Sequence, residues 1–169
     1  MKPAVGFIGL GRMGSVICQR LLRHGFRLHV HNRSEGKAAE LVQQGAIWAP
    51  DLESLTRAVN VLFICTAGEQ AVQDIYHACG QGLLWTLGTG SIVIDLSTIA
   101  PEVAVAAHAA FRARGVDYIE CPVSGGVDGA STGRLSAIVA AQPTAYAAVR
   151  PVLTAFCEGV TYVETPGKA

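Results

Sequence analysis

The stretch AVGFIGLGRMG at residues 4–14 decides the fold of this chain. Its first five residues are apolar and predict a buried strand, and three glycines in the spacing G-x-G-x-x-G follow. The first glycine permits a tight turn, the second lets a pyrophosphate approach the backbone, and the third lets a helix pack closely on the strand. The pattern predicts a dinucleotide site, and the alternative is an ordinary strand–turn–helix. The predicted cofactor-binding residues of this turn are Gly9, Leu10, Gly11, Arg12, Met13 and Gly14.

The end of the next predicted strand, residues 27–32, indicates which cofactor is bound. Asn32 stands where an NAD site usually has an acidic residue that accepts hydrogen bonds from the ribose 2′-hydroxyl, and Arg33 and Ser34 follow it. A neutral amide does not repel a 2′-phosphate, and a guanidinium can bind it with paired, charge-assisted hydrogen bonds. These residues therefore predict NADP rather than NAD. The alternative is that Arg33 is a solvated loop cation and Ser34 the N-cap of the next helix.

Composition indicates one folded domain. Hydrophobic residues make up 50% of the 169 residues and charged residues 15%, which argues against disorder. Lysine plus arginine and aspartate plus glutamate number 13 each, so the charge balance does not favour nucleic acid or an anionic membrane. No apolar run reaches the ~18 residues of a membrane span.

The cysteines and the first residues bear on the compartment. Five cysteines are scattered without a CxxC motif, which predicts free thiols in a reducing compartment and no zinc site. A structural strand at the very start leaves no room for a signal peptide. We therefore expect a cytoplasmic protein that binds no metal.

Alternating periodicity predicts repeated strand–helix units. Such units indicate an α/β fold of the Rossmann type, with a doubly wound, mostly parallel sheet. The predicted strands are residues 4–8, 27–32, 46–48, 61–65, 91–95, 118–120, 135–141 and 160–163. The predicted helices span about residues 13–24, 34–44, 52–59, 69–77, 101–114 and 143–157.

Three loops after predicted strands look like parts of a site. They are residues 66–68 (Thr-Ala-Gly), 96–98 (Leu-Ser-Thr) and 122–126 (Pro-Val-Ser-Gly-Gly). Ligands of open α/β sheets bind outside the carboxyl ends of the strands. Consecutive glycines beside a serine can hold a small carboxylate with several backbone N–H groups and a hydroxyl. The alternative for each loop is an ordinary turn.

Four segments occur together in an order and spacing that carry a family resemblance. They are GFIGLGRMG at residues 6–14, NRS at 32–34, DLST at 95–98 and PVSGG at 122–126. The chain resembles the N-terminal domain of the β-hydroxyacid dehydrogenases over nearly its whole length. That family includes 3-hydroxyisobutyrate dehydrogenase, tartronate semialdehyde reductase and the coenzyme domain of 6-phosphogluconate dehydrogenase.

The resemblance implies roles for individual loops. Ser124, Gly125 and Gly126 are implied to bind the substrate carboxylate, and Thr98 to contact the cofactor near the nicotinamide. Thr66 and Ala67 are implied to line the cofactor, although the family usually has Leu-Pro there. Glu120 and Cys121 stand in place of the usual Asp-Ala, a difference that bears on substrate choice.

The resemblance also implies a second, all-helical domain that completes the active site and usually the homo-oligomer. Residues 1–163 would form the NADP-binding domain, and residues 164–169 would begin the connection. The catalytic lysine of the family is expected just beyond Ala169, so no catalytic residue is assigned in this chain. Lys168 adjoins Gly167, which does not match the family's spacing, and it is expected to be a solvated cation.

The predicted function is hydride transfer between NADP and a small β-hydroxyacid, as in 3-hydroxyisobutyrate dehydrogenase. The chain by itself is expected to bind cofactor but not to turn over substrate. An imine reductase-like enzyme is one alternative, because such enzymes share the glycine turn and the Asn-Arg pair, but PVSGG favours the hydroxyacid branch. A non-catalytic NADP-binding module is the other.

Overall fold

Strands and helices alternate along the chain in the computed structural model, which describes residues 3–77 and 82–169. The strands are β1 (Ala4–Ile8), β2 (Arg27–His31), β3 (Ile47–Trp48), β4 (Val61–Ile64), β5 (Ile92–Asp95), β6 (Asp117–Glu120), β7 (Val123–Ser124), β8 (Leu135–Ala140) and β9 (Cys157–Val163). The helices are α1 (Arg12–Arg23), α2 (Ala39–Gln43), α3 (Leu52–Ala58), α4 (Glu69–His77), α5 (Leu83–Thr86), α6 (Pro101–Arg112), α7 (Gly126–Thr132) and α8 (Pro143–Leu153).

One sheet joins all of these strands. Its order is β3-β2-β1-β4-β5-β6-β8-β7, with β9 paired to the other edge of β8. The six strands from β3 to β6 in this order run parallel, whereas β8 is antiparallel to β6 and β7. The predicted α/β fold with a mostly parallel sheet is therefore confirmed, and the antiparallel part was not predicted. The strand order reverses between β1 and β4, which is where such sheets bind dinucleotides.

Both faces of the sheet are buried, which explains the continuous apolar runs in its central strands. In β4, the side chain of Phe63 lies in one core cluster and those of Leu62 and Ile64 lie in the other. This alternation follows from the period of two along a strand. The ring of Phe63 stacks on Phe7 at 6.0 Å between centroids and meets Phe156 edge-on at 5.9 Å. Phe63 therefore links strand β4 to β1 and to the segment before β9.

The predicted helix over residues 34–44 is wrong in its first half. Glu35–Ala38 forms a 3₁₀ turn, and α2 begins only at Ala39. Gly36 lowers the helix propensity there, and the N–H of Lys37 bonds to the carbonyl of Ser34 three residues back. Ser34 occupies the N-cap position, but its side chain makes no capping hydrogen bond.

Other boundaries also differ from the prediction. The glycine-rich connection before β8 contains the helix α7, and α5 was not predicted. Helix α8 ends at Leu153 rather than near Cys157, because Cys157 pairs with Leu135 as the first residue of β9. The expected cap of α3 is confirmed, since the backbone N–H of Ser54 donates to Asp51 Oδ1 at 2.7 Å.

The cysteines at 18, 65, 121 and 157 are free, as expected, and Cys79 lies outside the described residues. Within residues 3–77 and 82–169, no helix is long and apolar enough to cross a membrane. The same ranges contain no group of three or more His, Cys, Asp or Glu side chains placed to hold a metal ion.

Replacing Phe63 by alanine tests the central core. Phe63 is fully buried, so the loss of its ring should lower the free energy of unfolding by roughly 3–5 kcal/mol. Ile138→Ala on β8 is the control, because this side chain is 42% exposed and should cost less than about 1 kcal/mol. Urea unfolding midpoints measure both changes. Equal losses of unfolding free energy in the two variants would contradict the position of Phe63 in the central core.

Candidate cofactor-binding site

The glycine turn after β1 is shaped by close backbone contacts. A Cβ at Gly9, where φ is +97°, would lie 2.1 Å from the carbonyl oxygen of Cys65. A Cβ at Gly14 would lie 2.0 Å from the carbonyl oxygen of Gly9. Both glycines are thus required by the fold itself. A Cβ at Gly11 would meet nothing within 4 Å, so the space beside this residue is open for a ligand group.

The N-terminus of α1 faces this open space, and its electrostatic field favours a bound anion. Gly11 is the N-cap, and the first turn of the helix contains no acidic residue. Unpaired N–H groups and the helix dipole make such an N-terminus a binding site for anions, above all for phosphate. The side chain of Arg12 is exposed in the same turn. The residues present therefore fit the pyrophosphate of a dinucleotide.

Asn32 links the end of β2 to the glycine turn. Its Oδ1 accepts a hydrogen bond from the N–H of Leu10 at 3.0 Å, and its Nδ2 donates to the carbonyl of Ser34 at 3.0 Å. From the sequence, Asn32 is predicted to lie beside the ribose of the cofactor and its 2′-phosphate. The structure adds a second role, since the amide fixes the position of the turn relative to the loop that carries Arg33.

A cleft of about 540 Å³ brings together residues from several strand ends. Of the predicted cofactor residues, those that line it are Gly9, Gly11, Asn32, Arg33, Ser34, Thr66 and Ala67. The predicted residues Leu10, Arg12, Met13, Gly14 and Thr98 are not part of its lining. Leu10 and Gly14 are buried behind the turn, whereas Arg12 and Thr98 are exposed.

Sequence reasoning missed several walls of the cleft. They are Ile8, His31, Lys37, Leu52, Cys65 and, on α4, Ala71, Asp74 and Ile75. Lys37 adds a second cation beside Arg33, and both side chains are exposed. No helical spacing relates the two cations, because Arg33 precedes the N-cap Ser34 and Lys37 lies in the 3₁₀ turn.

The loop after β4 lines the cleft as well, and hydrogen bonds connect this loop to the loop after β5. The N–H of Thr66 donates to Ser97 Oγ at 3.2 Å, and the N–H of Ser97 donates to Asp95 Oδ1 at 2.8 Å. The carboxylate of Asp95 also accepts a hydrogen bond from the Tyr76 hydroxyl, and burial raises its pKa. The Thr66 hydroxyl is buried and has no hydrogen-bond partner among the described residues. A ligand in the cleft could supply that partner.

The predicted substrate loop lies apart from the cleft lining. Ser124, Gly125 and Gly126 are all exposed. Gly125 has a φ of +129° and Gly126 a φ of +65°, and a Cβ at Gly125 would lie 3.1 Å from Leu135 Cδ2. The turn into α7 therefore needs a glycine at position 125 for its own geometry, independently of any ligand.

The last residues return to the carboxyl edge of the sheet. Glu120 Oε2 accepts a hydrogen bond from the N–H of Gly167 at 2.8 Å. Burial raises the pKa of Glu120, and backbone hydrogen bonds from Gly167 and Ala169 act in the opposite direction. The side chain of Lys168 is exposed, in keeping with a solvated cation.

Residues 4–164 match the family model described as the NAD binding domain of 6-phosphogluconate dehydrogenase. The chain belongs to this family. The resemblance inferred from the glycine turn and the PVSGG segment is thereby confirmed.

One relative and one solved structure resemble most of this chain. The 3-hydroxyisobutyrate dehydrogenase of Pseudomonas aeruginosa is 36% identical over 149 residues, which are 88% of this chain and 50% of the relative. A solved structure of Psf3 in complex with NADP+ and 2-OPP is 63% identical, with a TM-score of 0.97, over 98% of this chain and 58% of that one. The chain thus spans about half the length of the relatives it matches.

Imine reductases share the fold as well. The imine reductase BcSIRED from Bacillus cereus has a TM-score of 0.87 at 24% identity, over 97% of this chain and 56% of that one. At this identity the match shows a common fold and does not favour the same reaction.

Two glycine substitutions distinguish a glycine that the fold requires from a glycine that ligand binding requires. Gly14→Ala should destabilise the chain, because its Cβ would collide with the Gly9 carbonyl. Gly11→Ala should change the free energy of unfolding by less than about 1 kcal/mol, since a loss of N-cap preference is offset by lower unfolded-state entropy. It should nevertheless weaken NADPH binding at least tenfold, because the added methyl group would occupy the space beside the backbone where the pyrophosphate binds. Thermal unfolding and calorimetric titration measure the two effects. Unchanged NADPH affinity in Gly11→Ala would contradict a phosphate site at this turn.

Proposed function

We propose that this chain is the NADP-binding part of an oxidoreductase that transfers hydride between the nicotinamide and a small β-hydroxyacid. The cleft at the point where the strand order reverses carries this proposal. One of its ends has Arg33 and Lys37, and its middle has the open N-terminus of α1 beside Gly11. The bound NADP+ in the related Psf3 structure supports the same cofactor.

Each end of the cleft suits a different part of NADP. Arg33 and Lys37 would bind the 2′-phosphate, with Asn32 and Ser34 beside it. The N–H groups at the start of α1, with Gly11 and Arg12, would bind the pyrophosphate. Thr66, Ala67 and Thr98 would lie along the nicotinamide half. When bound, the nicotinamide supplies the hydride acceptor or donor, and the chain's own residues orient it.

The substrate would lie beyond the nicotinamide, against the loop after β7. The loop of Ser124, Gly125 and Gly126 is exposed and can present a hydroxyl and backbone N–H groups to a carboxylate. The N–H of Cys121 donates to the carbonyl of Asp95 at 2.8 Å, which holds the start of the PVSGG segment beside the end of β5. The similarity to 3-hydroxyisobutyrate dehydrogenase supports a small β-hydroxyacid as the substrate.

The whole protein would contain more than this domain. We propose residues 1–163 as the cofactor domain and residues 164–169 as the start of a connection to a helical domain. That domain would supply the catalytic lysine and the homo-oligomer contacts. We further propose that the protein acts in the cytoplasm.

The cofactor preference can be measured on this chain directly. NADPH should bind at least tenfold more tightly than NADH, because a charge-assisted contact to the 2′-phosphate contributes roughly 1.5–3 kcal/mol. Arg33→Ala should remove most of that preference. Arg27→Ala is the matched control, since Arg27 is an exposed cation at the opposite end of β2 and should leave both affinities unchanged. Equal affinity for the two cofactors in the unmodified chain would contradict the proposal.

A turnover measurement tests whether this chain is only the cofactor-binding part of an enzyme or is active by itself. The 169-residue chain should bind NADPH but show turnover far below the ~10 s⁻¹ typical of enzymes. Suitable substrates are 3-hydroxyisobutyrate, tested with NADP+, and tartronate semialdehyde, tested with NADPH, and the change in NADPH absorbance measures turnover. Turnover near the typical rate would instead make Lys168 the candidate proton donor, and Lys168→Ala would then test it.

A further inference from the structure

A buried carboxylate lies directly beneath the nicotinamide end of the proposed site. Asp95 is the last residue of β5, and only 1% of its surface is exposed. In a doubly wound sheet, the two halves of a dinucleotide lie on opposite sides of the point where the strand order reverses. Arg33 and Lys37 place the 2′-phosphate on the β2 side, so the nicotinamide half belongs over the ends of β4 and β5.

Hydrogen bonds connect Asp95 to both loops at this end. Asp95 Oδ1 accepts from the N–H of Ser97 at 2.8 Å, which fixes the first turn after β5. The hydroxyl of Ser97, a residue only 6% exposed, then accepts from the N–H of Thr66 at 3.2 Å. Thr66 lines the cleft, and its neighbour Cys65 touches the glycine turn at Gly9.

The network is anchored on its other side as well. The hydroxyl of Tyr76, on α4, donates to Asp95 Oδ2, and the hydroxyls of Tyr76 and Tyr118 lie 3.2 Å apart. Both tyrosines are buried and pack against Phe111. A carboxylate in such an apolar layer is costly unless its oxygens are hydrogen-bonded. The Tyr76 hydroxyl, which packing against Phe111 holds in place, thus anchors one oxygen of the carboxylate, and the other oxygen holds the turn after β5.

We propose that Asp95 is a positioning residue, which acts through Ser97 to hold the Thr66 loop in the geometry that the nicotinamide half of the cofactor requires. The inference rests on the proposed NADP site. Asp95 is not part of the cleft lining and would not touch the cofactor itself. Its effect should therefore be confined to the part of the ligand that lies over β4 and β5, and the 2′-phosphate end should be unaffected.

Glu120 offers a matched control on the neighbouring strand. It is the register partner of Asp95 and is 4% exposed, so the two carboxylates are buried alike. Its bond to the N–H of Gly167, however, holds the last residues of the chain rather than a cofactor loop. Removing either carboxylate should destabilise the fold, but only Asp95 should act on the nicotinamide half.

The experiment compares two ligands that share the 2′-phosphate end. NADPH contains the nicotinamide, and 2′,5′-ADP does not. Asp95→Ala should weaken NADPH binding at least tenfold and 2′,5′-ADP binding less than threefold. Ser97→Ala, a milder change that keeps Asp95, should weaken NADPH alone by threefold or more. Glu120→Ala should lower the melting temperature and leave both dissociation constants within threefold of the unmodified chain.

Rescue by the isosteric variant distinguishes geometry from charge. In Asp95→Asn, the amide oxygen can still accept from Ser97 and the amide nitrogen can donate to the Tyr76 oxygen, so NADPH affinity should stay within threefold. If Asp95→Ala does not fold, the affinities of Ser97→Ala for NADPH and 2′,5′-ADP test the inference by themselves. The inference would be overturned if Asp95→Ala lost equal affinity for NADPH and for 2′,5′-ADP. It would also be overturned if Ser97→Ala bound NADPH as tightly as the unmodified chain. An unmodified chain that binds neither ligand would overturn the proposed function, and the inference with it.

Discussion

The close approach between the glycine turn and the loop after β4 is the constraint on which the rest of the structure depends. The Gly9 backbone lies so near the Cys65 carbonyl that even one added carbon would be 2.1 Å from it. Gly14 meets the Gly9 carbonyl just as closely, which brings α1 down onto the sheet. The strand order reverses between β1 and β4, and the cleft opens at that reversal, beside the contact of Gly9 with Cys65.

Charge is distributed unequally around this cleft. On the β2 side, Arg33 and Lys37 are exposed cations beside a helix start that has no acidic residue. Below the β4 and β5 side, Asp95 is buried and bonded to neutral donors, and burial raises its pKa. The exposed cations can move toward a phosphate and are screened by salt. The buried carboxylate is shielded from solvent, and its oxygens accept hydrogen bonds from the N–H of Ser97 and the hydroxyl of Tyr76.

The sequence predicted best where a local pattern has a single physical solution. The spacing of Gly9, Gly11 and Gly14 and the apolar runs of the central strands predicted the parallel sheet correctly. Predictions were weaker where a local preference competes with a distant contact. Gly36 turned the start of a predicted helix into a 3₁₀ turn, and Cys157 left the predicted last helix because it pairs with Leu135 in the sheet. The substrate-binding roles of Ser124, Gly125 and Gly126 remain predictions, and the geometry of the turn by itself already requires a glycine at position 125.

The sequence by itself determined the fold class, the family, and the two places, the glycine turn and Asn32–Ser34, where a cofactor could bind. Each of these features is carried by short segments of sequence, and none of them requires knowing which segments meet in space. Only the tertiary structure decided how distant residues meet. Asn32 bonds to Leu10 across 22 positions, and Thr66 bonds to Ser97 across 31. Such contacts depend on strand order, which periodicity does not encode, because any order of the same strands would bury the same residues.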